Sequence, residues 1–385
     1  MALFGVVHAF LGVVFGFPDM RARLHVDLAS EGNMFLLLFL GVATIYLSGG
    51  LLVDRFGSKP VLAGVLAIYA AAMFAFSQAT SVHLAMPATY FIGMGGGGLS
   101  ICSSVLITEI YQEQRVAMMV AINAAMALGS LTFTFGAAAL AGRLGVPFLA
   151  LVVAAVIVLQ GCFCLTQKFP SSLAAHGFSL ANAVRVLAYP GVYLYALLLF
   201  VEATNEIAVV GWTPTWMGEI GASPRLATAA LGMLQTALLV GRLVSFPFLK
   251  RIPMTMMVVC SLGAFLGAVI MFLSHTVPFM LVGVVILGFT YAAIYPSLLG
   301  FARDRYHQFA GTLMGAMMTS GVTGSMFGPW IVGHLPRAVP LHTRLIVPVV
   351  GTFLFIFLIL ALRRRTLRER AAAATVPEPE TYGVS

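Results

Sequence analysis

The stretch Gly50-Leu51-Leu52-Val53-Asp54-Arg55-Phe56-Gly57-Ser58-Lys59-Pro60 decides how this chain is read. It lies between two long apolar runs, near 33–53 and 60–79, and packs an acid, two bases and a glycine into a tight turn. Gly57 supplies the backbone freedom a sharp bend requires. Asp54 and Arg55 sit where a helix ends, and an acid there is suited to face the positive N-terminus of a neighbouring helix. A polar latch that can break suits a protein that alternates between two shapes.

Outward from this turn, the chain is almost entirely apolar. Hydrophobic residues make up 60% and charged residues 9%, against about 25% charged in soluble domains. Lipid is the solvent that makes such a composition sensible. Twelve apolar segments are expected, near 2–18, 33–53, 60–79, 83–108, 115–141, 145–167, 189–217, 225–247, 254–274, 277–302, 308–334 and 342–363. Each is close to the ~20 residues that span hydrocarbon. Runs of this length without alternation exclude a transmembrane β-barrel. The predicted division is an N-terminal six-helix bundle over 1–167, a linker over 168–188, a C-terminal bundle over 189–363, and a basic then disordered tail over 364–385. Little chain is left over for a soluble domain.

The net charge of +8 does not mark a nucleic-acid binder, because no basic face with interleaved aromatics appears. The bases instead set topology. With the N-terminus inside, the inner loops and tail hold Arg55, Lys59, Arg115, Lys168, Arg185, Arg242, Lys250, Arg251, Arg303, Arg305 and the cluster Arg363, Arg364, Arg365, Arg368 and Arg370. The outer side keeps only Arg21, Arg23, Arg143, Arg225, Arg337 and Arg344. This bias places both termini in the cytoplasm of a multi-pass plasma-membrane protein, the inner membrane in a bacterium. The first apolar run has no basic leader and reads as a retained helix. Cys102, Cys162, Cys164 and Cys260 lie inside apolar runs and read as small hydrophobes, with no disulfide and no metal.

The opening motif resembles the G-x-x-x-D-R-x-G-x-K signature of the major facilitator superfamily, found here between the second and third apolar segments. A weaker echo, Gly241-Arg242-Leu243 followed by Lys250-Arg251, stands between segments eight and nine. It supports an internal six-helix repeat. The resemblance implies an all-α polytopic protein of twelve transmembrane helices in two pseudo-symmetric six-helix bundles. It also implies a cytoplasmic gate at Gly50, Asp54, Arg55, Gly57, Lys59 and Arg242. Two further stretches are similar to the fucose–galactose–proton symporter and sugar permease branch. One is Gly288-Phe289-Thr290-Tyr291-Ala292-Ala293-Ile294-Tyr295-Pro296-Ser297-Leu298-Leu299. The other is Asn205-Glu206 followed by Gly211-Trp212. The chain departs from the fucose symporter at segment four, where Ser100 stands near that protein's acidic coupling position. Segment one also has no mid-depth carboxylate, since Asp19 follows Pro18 at its outer end.

An ionisable group deep in a membrane costs about 2.5 kcal/mol or more and is a functional candidate by default. Segment seven has Glu202, Asn205 and Glu206, whose spacing puts all three on one helical face. Loss of water and a neighbouring carboxylate both favour a protonated carboxyl. Glu206 is therefore expected to be the principal proton or substrate carboxylate, with Glu202 as its modulator. Asn123 and Gln235 offer amides suited to a hydroxyl-rich ligand. Trp212, Tyr291 and Tyr295 are candidates to stack on a sugar ring. Ser100, Ser104 and His8 complete the candidate solute site. Glycines at Gly93, at Gly95 to Gly98, and at Gly324-x-x-x-Gly328 predict close helix packing.

The expected function is secondary active or facilitative transport of a small polar solute, a monosaccharide by resemblance, with proton coupling through Glu206 left open against uniport. Proton-coupled export of drug-like or amphipathic compounds is the alternative. No paired nucleophile and base and no metal cluster suggest an enzyme, and no cofactor is expected. The expected partners are a small-molecule substrate, protons and the lipid bilayer, with the chain acting as a monomer.

Overall fold

The computed structural model describes residues 1–111, 115–167, 169, 190–305, 310–336 and 338–374. Apart from Phe169, the expected linker and its flanks lie outside the described residues, as does the end of the tail. Of Gly50 and Asp54 only the helical backbone is described.

The described residues form helices α1 (Ala2–Phe15), α2 (Pro18–Leu24), α3 (Leu28–Phe56), α4 (Ser58–Gln78), α5 (Val82–Ile110), α6 (Arg115–Leu144), α7 (Val146–Thr166), α8 (Pro190–Glu219), α9 (Pro224–Arg251), α10 (Pro253–Leu273), α11 (Val277–Tyr291), α12 (Ile294–Arg305), α13 (Ala310–His334) and α14 (Ile346–Ala374). Successive spans run in opposite directions, so the connections alternate between two ends of the bundle. We call these the Arg55 end and the Arg21 end.

Local chemistry sets the breaks. Segment one stops at Phe15 rather than continuing to residue 18, because Pro18 starts a separate helix at 85° to α1. Asp27 caps α3 by accepting from the Ser30 amide at 2.9 Å. Gly57 separates α3 from α4 at φ 84°, a conformation in which a β-carbon is strained. Segment ten divides into α11 and α12 at Ala292-Ala293. Pro296 has no N–H to offer the Ala292 carbonyl, so the helical ladder is interrupted at that point. The last helix runs past residue 363 and carries the basic cluster on helical backbone to Ala374.

Ten stretches among the described residues are long and apolar enough to cross a membrane, eleven with the bent α1–α2 pair. The remaining position is taken by α13, whose glycines, serines and threonines dilute its hydropathy. Packing identifies it as a span, since it lies against α8 and α3.

The contacts repeat across two halves. The pairs α1–α6, α3–α5, α4–α5 and α4–α7 of the first half are matched by α8–α13, α9–α11, α10–α11 and α10–α14 of the second. The halves join through α3–α13, α6–α9 and α1–α8, a set that the same exchange maps onto itself. Small residues allow the closest approaches. A β-carbon at Gly324 or Gly328 would collide with the backbone carbonyls of Phe200 and Thr204 on α8, which is the role of small-residue spacing in membranes. Gly93 and Gly95 likewise seat α5 on the backbone of Leu38 and Tyr69.

Candidate functional site

The site is built on α8. Glu202 and Asn205 are each 1% exposed, and Glu206 is partly buried one turn after Glu202. The two carboxyl groups lie within each other's electrostatic field. Neither oxygen of Glu202 has a hydrogen-bond donor among the described residues. Asn205 gives its amide N–H to the Val201 carbonyl at 2.6 Å, and its amide is packed onto Gly351 of α14. Its Oδ1 is left without a donor.

Three elements close around this face. The Tyr291 hydroxyl, at the end of α11, lies beside Asn205 and within the field of both glutamates. It is buried without a well-formed hydrogen bond. Tyr295, in the first turn of α12, shares the same field and lies near Tyr46 of the other half. The break after α11 thus falls at the cluster, as discontinuous helices do in transporter sites. From α9 comes Arg242, whose charge acts on Glu202, Glu206 and Tyr295, and on His8 of α1 across the interface. Its Nε is buried without an acceptor. Buried polar groups are usually paired. Here four neighbours, Glu202, Asn205, Arg242 and Tyr291, each keep an unmatched atom. That is a constellation suited to a ligand that both donates and accepts.

The first half supplies a thinner wall. His8 Nδ1 lies 3.3 Å from the Phe4 carbonyl, and its ring stands edge-on to Phe4. The Tyr46 hydroxyl lies 3.4 Å from Ser100 Oγ. Ser104 returns its hydroxyl to the Ser100 carbonyl of its own helix, the usual use of serine in a membrane span. A separate cavity of about 450 Å³ opens within this half, lined by Leu3, Leu62, Leu99, Ser103 and Phe163 among others.

Other expected residues fall elsewhere. Trp212 is fully buried, and its indole N–H donates to the Pro329 carbonyl at 3.2 Å. In this structure it locks α8 to α13 and has no open ring face for a solute, a correction to the stacking expected of it. Gln235 meets Thr134 across the halves at 3.5 Å, and Asn123 is exposed on α6. Arg242, grouped with the cytoplasmic gate in the sequence, also exerts its charge on the Glu cluster. Of the other expected gate residues, Lys59 donates to the carbonyls of Leu165 and Gln167 at 2.7 and 2.9 Å. It thereby neutralises the negative end of α7. Arg55 is exposed and sits over the Phe56 ring.

The sequence reading missed a polar seal at the Arg21 end. Arg21 pairs with fully buried Glu31. Thr215 of the other half donates its hydroxyl to Glu31 Oε1 at 3.1 Å and lies 3.4 Å from the Arg21 guanidinium. Around this triad the halves approach closely at glycines. Gly16 abuts Pro214 and Thr228, Gly32 abuts Pro329 and Trp330, and Gly211 takes the ring of Phe35. Toward the Arg55 end, the glycine contacts among the described residues stay within a half, as between Gly5 and Met126 or between Gly49 and Ile101. The structure is therefore closed across the halves at the Arg21 end. The one sequence signal was Glu31, an acid inside a helix beginning.

A family model for the Major Facilitator Superfamily matches residues 1–329 and, in an overlapping match, residues 195–380. An uncharacterized transporter, y4wD, of Sinorhizobium fredii is 23% identical over 361 residues, covering 91% of this chain and 94% of its own. Among solved structures, a mutant of the nucleoside transporter NupG superposes with a TM-score of 0.80 at 13% identity, covering 94% of this chain and 96% of that one. A D-xylose-proton symporter superposes with a TM-score of 0.74 at 14% identity, covering 93% and 94%. At these identities the two structures speak to the fold alone.

Proposed function

We propose that this chain, which belongs to the major facilitator superfamily, moves a small hydroxyl-rich solute of the monosaccharide class by alternating access, coupled to protons through Glu206 and Glu202. The observation that carries this reading is the group of unmatched buried polar atoms on Glu202, Asn205, Arg242 and Tyr291, gathered where span ten is broken and facing His8 of the other half. Hydroxyl groups both donate and accept, so one solute is able to satisfy carboxyl, amide, guanidinium and phenol together. The seal at the Arg21 end supplies the second requirement, a barrier on one side of the site. The fold neighbours include carriers named for nucleosides and for D-xylose, both polar and hydroxyl-bearing. With the basic loops inside, the Arg55 end is the cytoplasmic one and both termini are cytoplasmic.

The test has two parts. Purified full-length protein is melted with a panel of hexoses, pentoses, nucleosides and lipophilic cations, since a ligand of the folded state raises the Tm. The stabilising sugar is then followed into proteoliposomes under an imposed pH gradient. Wild-type uptake should rise with the gradient, and Glu206→Gln should lower it about tenfold or more, the loss of one charge-assisted hydrogen bond. Stabilisation by lipophilic cations and by no sugar would favour the exporter reading. Unchanged uptake with an unchanged pH profile in Glu206→Gln would remove the carboxylate from the mechanism.

A further inference from the structure

The first half holds a space that the solute site does not use. It lies toward the Arg55 end between α1, α4, α5 and α7 and measures about 450 Å³. Packed interiors leave few voids larger than a water molecule, and this volume falls among pockets that hold small ligands. Its wall is mostly apolar: Leu62 of α4, Leu99 and Leu106 of α5, and Phe163 of α7. Leu62 and Leu99 are 4% and 6% exposed, so bulk lipid does not reach them. Two polar side chains join the wall, Ser103 of α5 and Gln160 of α7. Each stands roughly 10 Å inside the Arg55 end of its helix, at about 1.5 Å per residue. The Gln160 amide donates only to Cys164 Sγ, at 3.4 Å, a weak acceptor. Lys59 stands at the rim. Two of its three ammonium donors go to the carbonyls of Leu165 and Gln167, and it lies 5.9 Å from the centre of the Phe169 ring. Gln167 and Phe169 both line the cavity. Among the described residues no carboxylate pairs with Lys59.

We propose that this cavity is a binding site for an anionic phospholipid from the leaflet at the Arg55 end, the cytoplasmic leaflet in the orientation given above. One acyl chain lies along Leu62, Leu99, Leu106 and Phe163. The phosphate takes the third donor of Lys59, and the ester carbonyls accept from Ser103 and Gln160. Charge selects the occupant. Carbonyls alone leave the ammonium uncompensated; a net anionic headgroup balances it fully and a zwitterionic one does so less. A sugar does not suit a leucine wall, and a hydrocarbon leaves Lys59, Ser103 and Gln160 unused. A wall that served packing alone would be filled by side chains.

Full-length protein is reconstituted into phosphatidylcholine vesicles that hold a trace of phosphatidylglycerol with a photoreactive diazirine on one acyl chain, and the labelled segments are mapped by mass spectrometry. The segments containing Leu62 and Leu99 should be labelled. Unlabelled phosphatidylglycerol should compete about fivefold better than phosphatidylcholine, the contribution of one basic residue at an anionic headgroup. Lys59→Gln should remove that preference. Ser103→Phe, which fills the cavity, should lower labelling of those segments about fivefold or more, with no change at Leu262 and Leu266 on the exposed face of α10. The competition uses the unaltered protein, so its outcome stands even where Ser103→Phe does not fold. Labelling confined to lipid-facing segments, or equal competition by the two phospholipids, would overturn the proposal. So would stronger competition by oleate, which would make the occupant a fatty acid, or competition by glycerol phosphate, which would make it a free anion.

Discussion

At the scale of single residues, Glu206 shows how position outweighs identity. A carboxyl on the surface would titrate in water without consequence. One turn from Glu202 and within the field of Arg242, it has a neighbour for each protonation state. The sign of the pH effect follows from the direction of coupling. Uptake with protons should increase as the pH falls on the side from which the solute enters, and the Glu206→Gln profile should be flat, as radiotracer uptake across a pH series will read. Gly351 provides a residue-scale prediction of another kind. Its missing β-carbon leaves room for the Asn205 amide, which is fixed by its bond to the Val201 carbonyl. Gly351→Ala should therefore overpack the site and cost about 1–3 kcal/mol, measurable as a lower Tm, and should shift sugar affinity with it.

At the scale of elements, the break between α11 and α12 and the close pairing of α8 with α13 do different work. The break aims Tyr291 and Tyr295 at the cluster from two helix ends. Pro296→Ala restores the missing donor and should let one helix run through, raising thermal stability while slowing transport about tenfold, readable by comparing Tm with uptake rate. The α8–α13 seam is held by backbone proximity at Gly324 and Gly328. Gly328→Leu has no flexible side chain to push aside, only the Thr204 backbone, and should abolish folded, monodisperse protein in size-exclusion chromatography. The sequence made these elements legible to different degrees. The turn at Gly57 and the glycine spacing could be read directly, because they depend on local geometry. The stop of α1 at Phe15 was not anticipated, because hydropathy continues smoothly through Gly16 and Phe17 while the chain direction does not.

At the scale of the whole molecule, glycine contacts between the halves among the described residues gather toward the Arg21 end. The seal contains polar atoms that find no partner among the described residues, namely Arg21 Nε, Trp216 Nε1 and Thr228 Oγ1. Unmatched donors weaken a closed interface, and a seal made partly of breakable polar contacts suits alternation between two states. Glu31→Gln removes the charge that holds Arg21 and Thr215 together. It should shift the population toward opening at the Arg21 end. Thr228, buried against Gly16 in this state, is the reporter position. The thiol introduced by Thr228→Cys should react with a hydrophilic maleimide about tenfold faster in the Glu31→Gln background than in the otherwise unaltered protein, the equivalent of roughly 1.4 kcal/mol of population shift. An unaltered labelling rate would show that the triad does not hold the seal.

The sequence by itself determined that this is a helical membrane protein of repeated halves, and it placed Glu202, Asn205 and Glu206 on α8. Those properties follow from hydropathy, charge and helical period, which are written in adjacent residues. Only the tertiary structure decided that Arg242 belongs with those carboxyls, that Trp212 is a buried lock between helices, and that Arg21, Glu31 and Thr215 meet. Each of these depends on which helix lies against which, and in lipid that choice is made by close packing and by the pairing of buried polar groups between spans far apart in the chain.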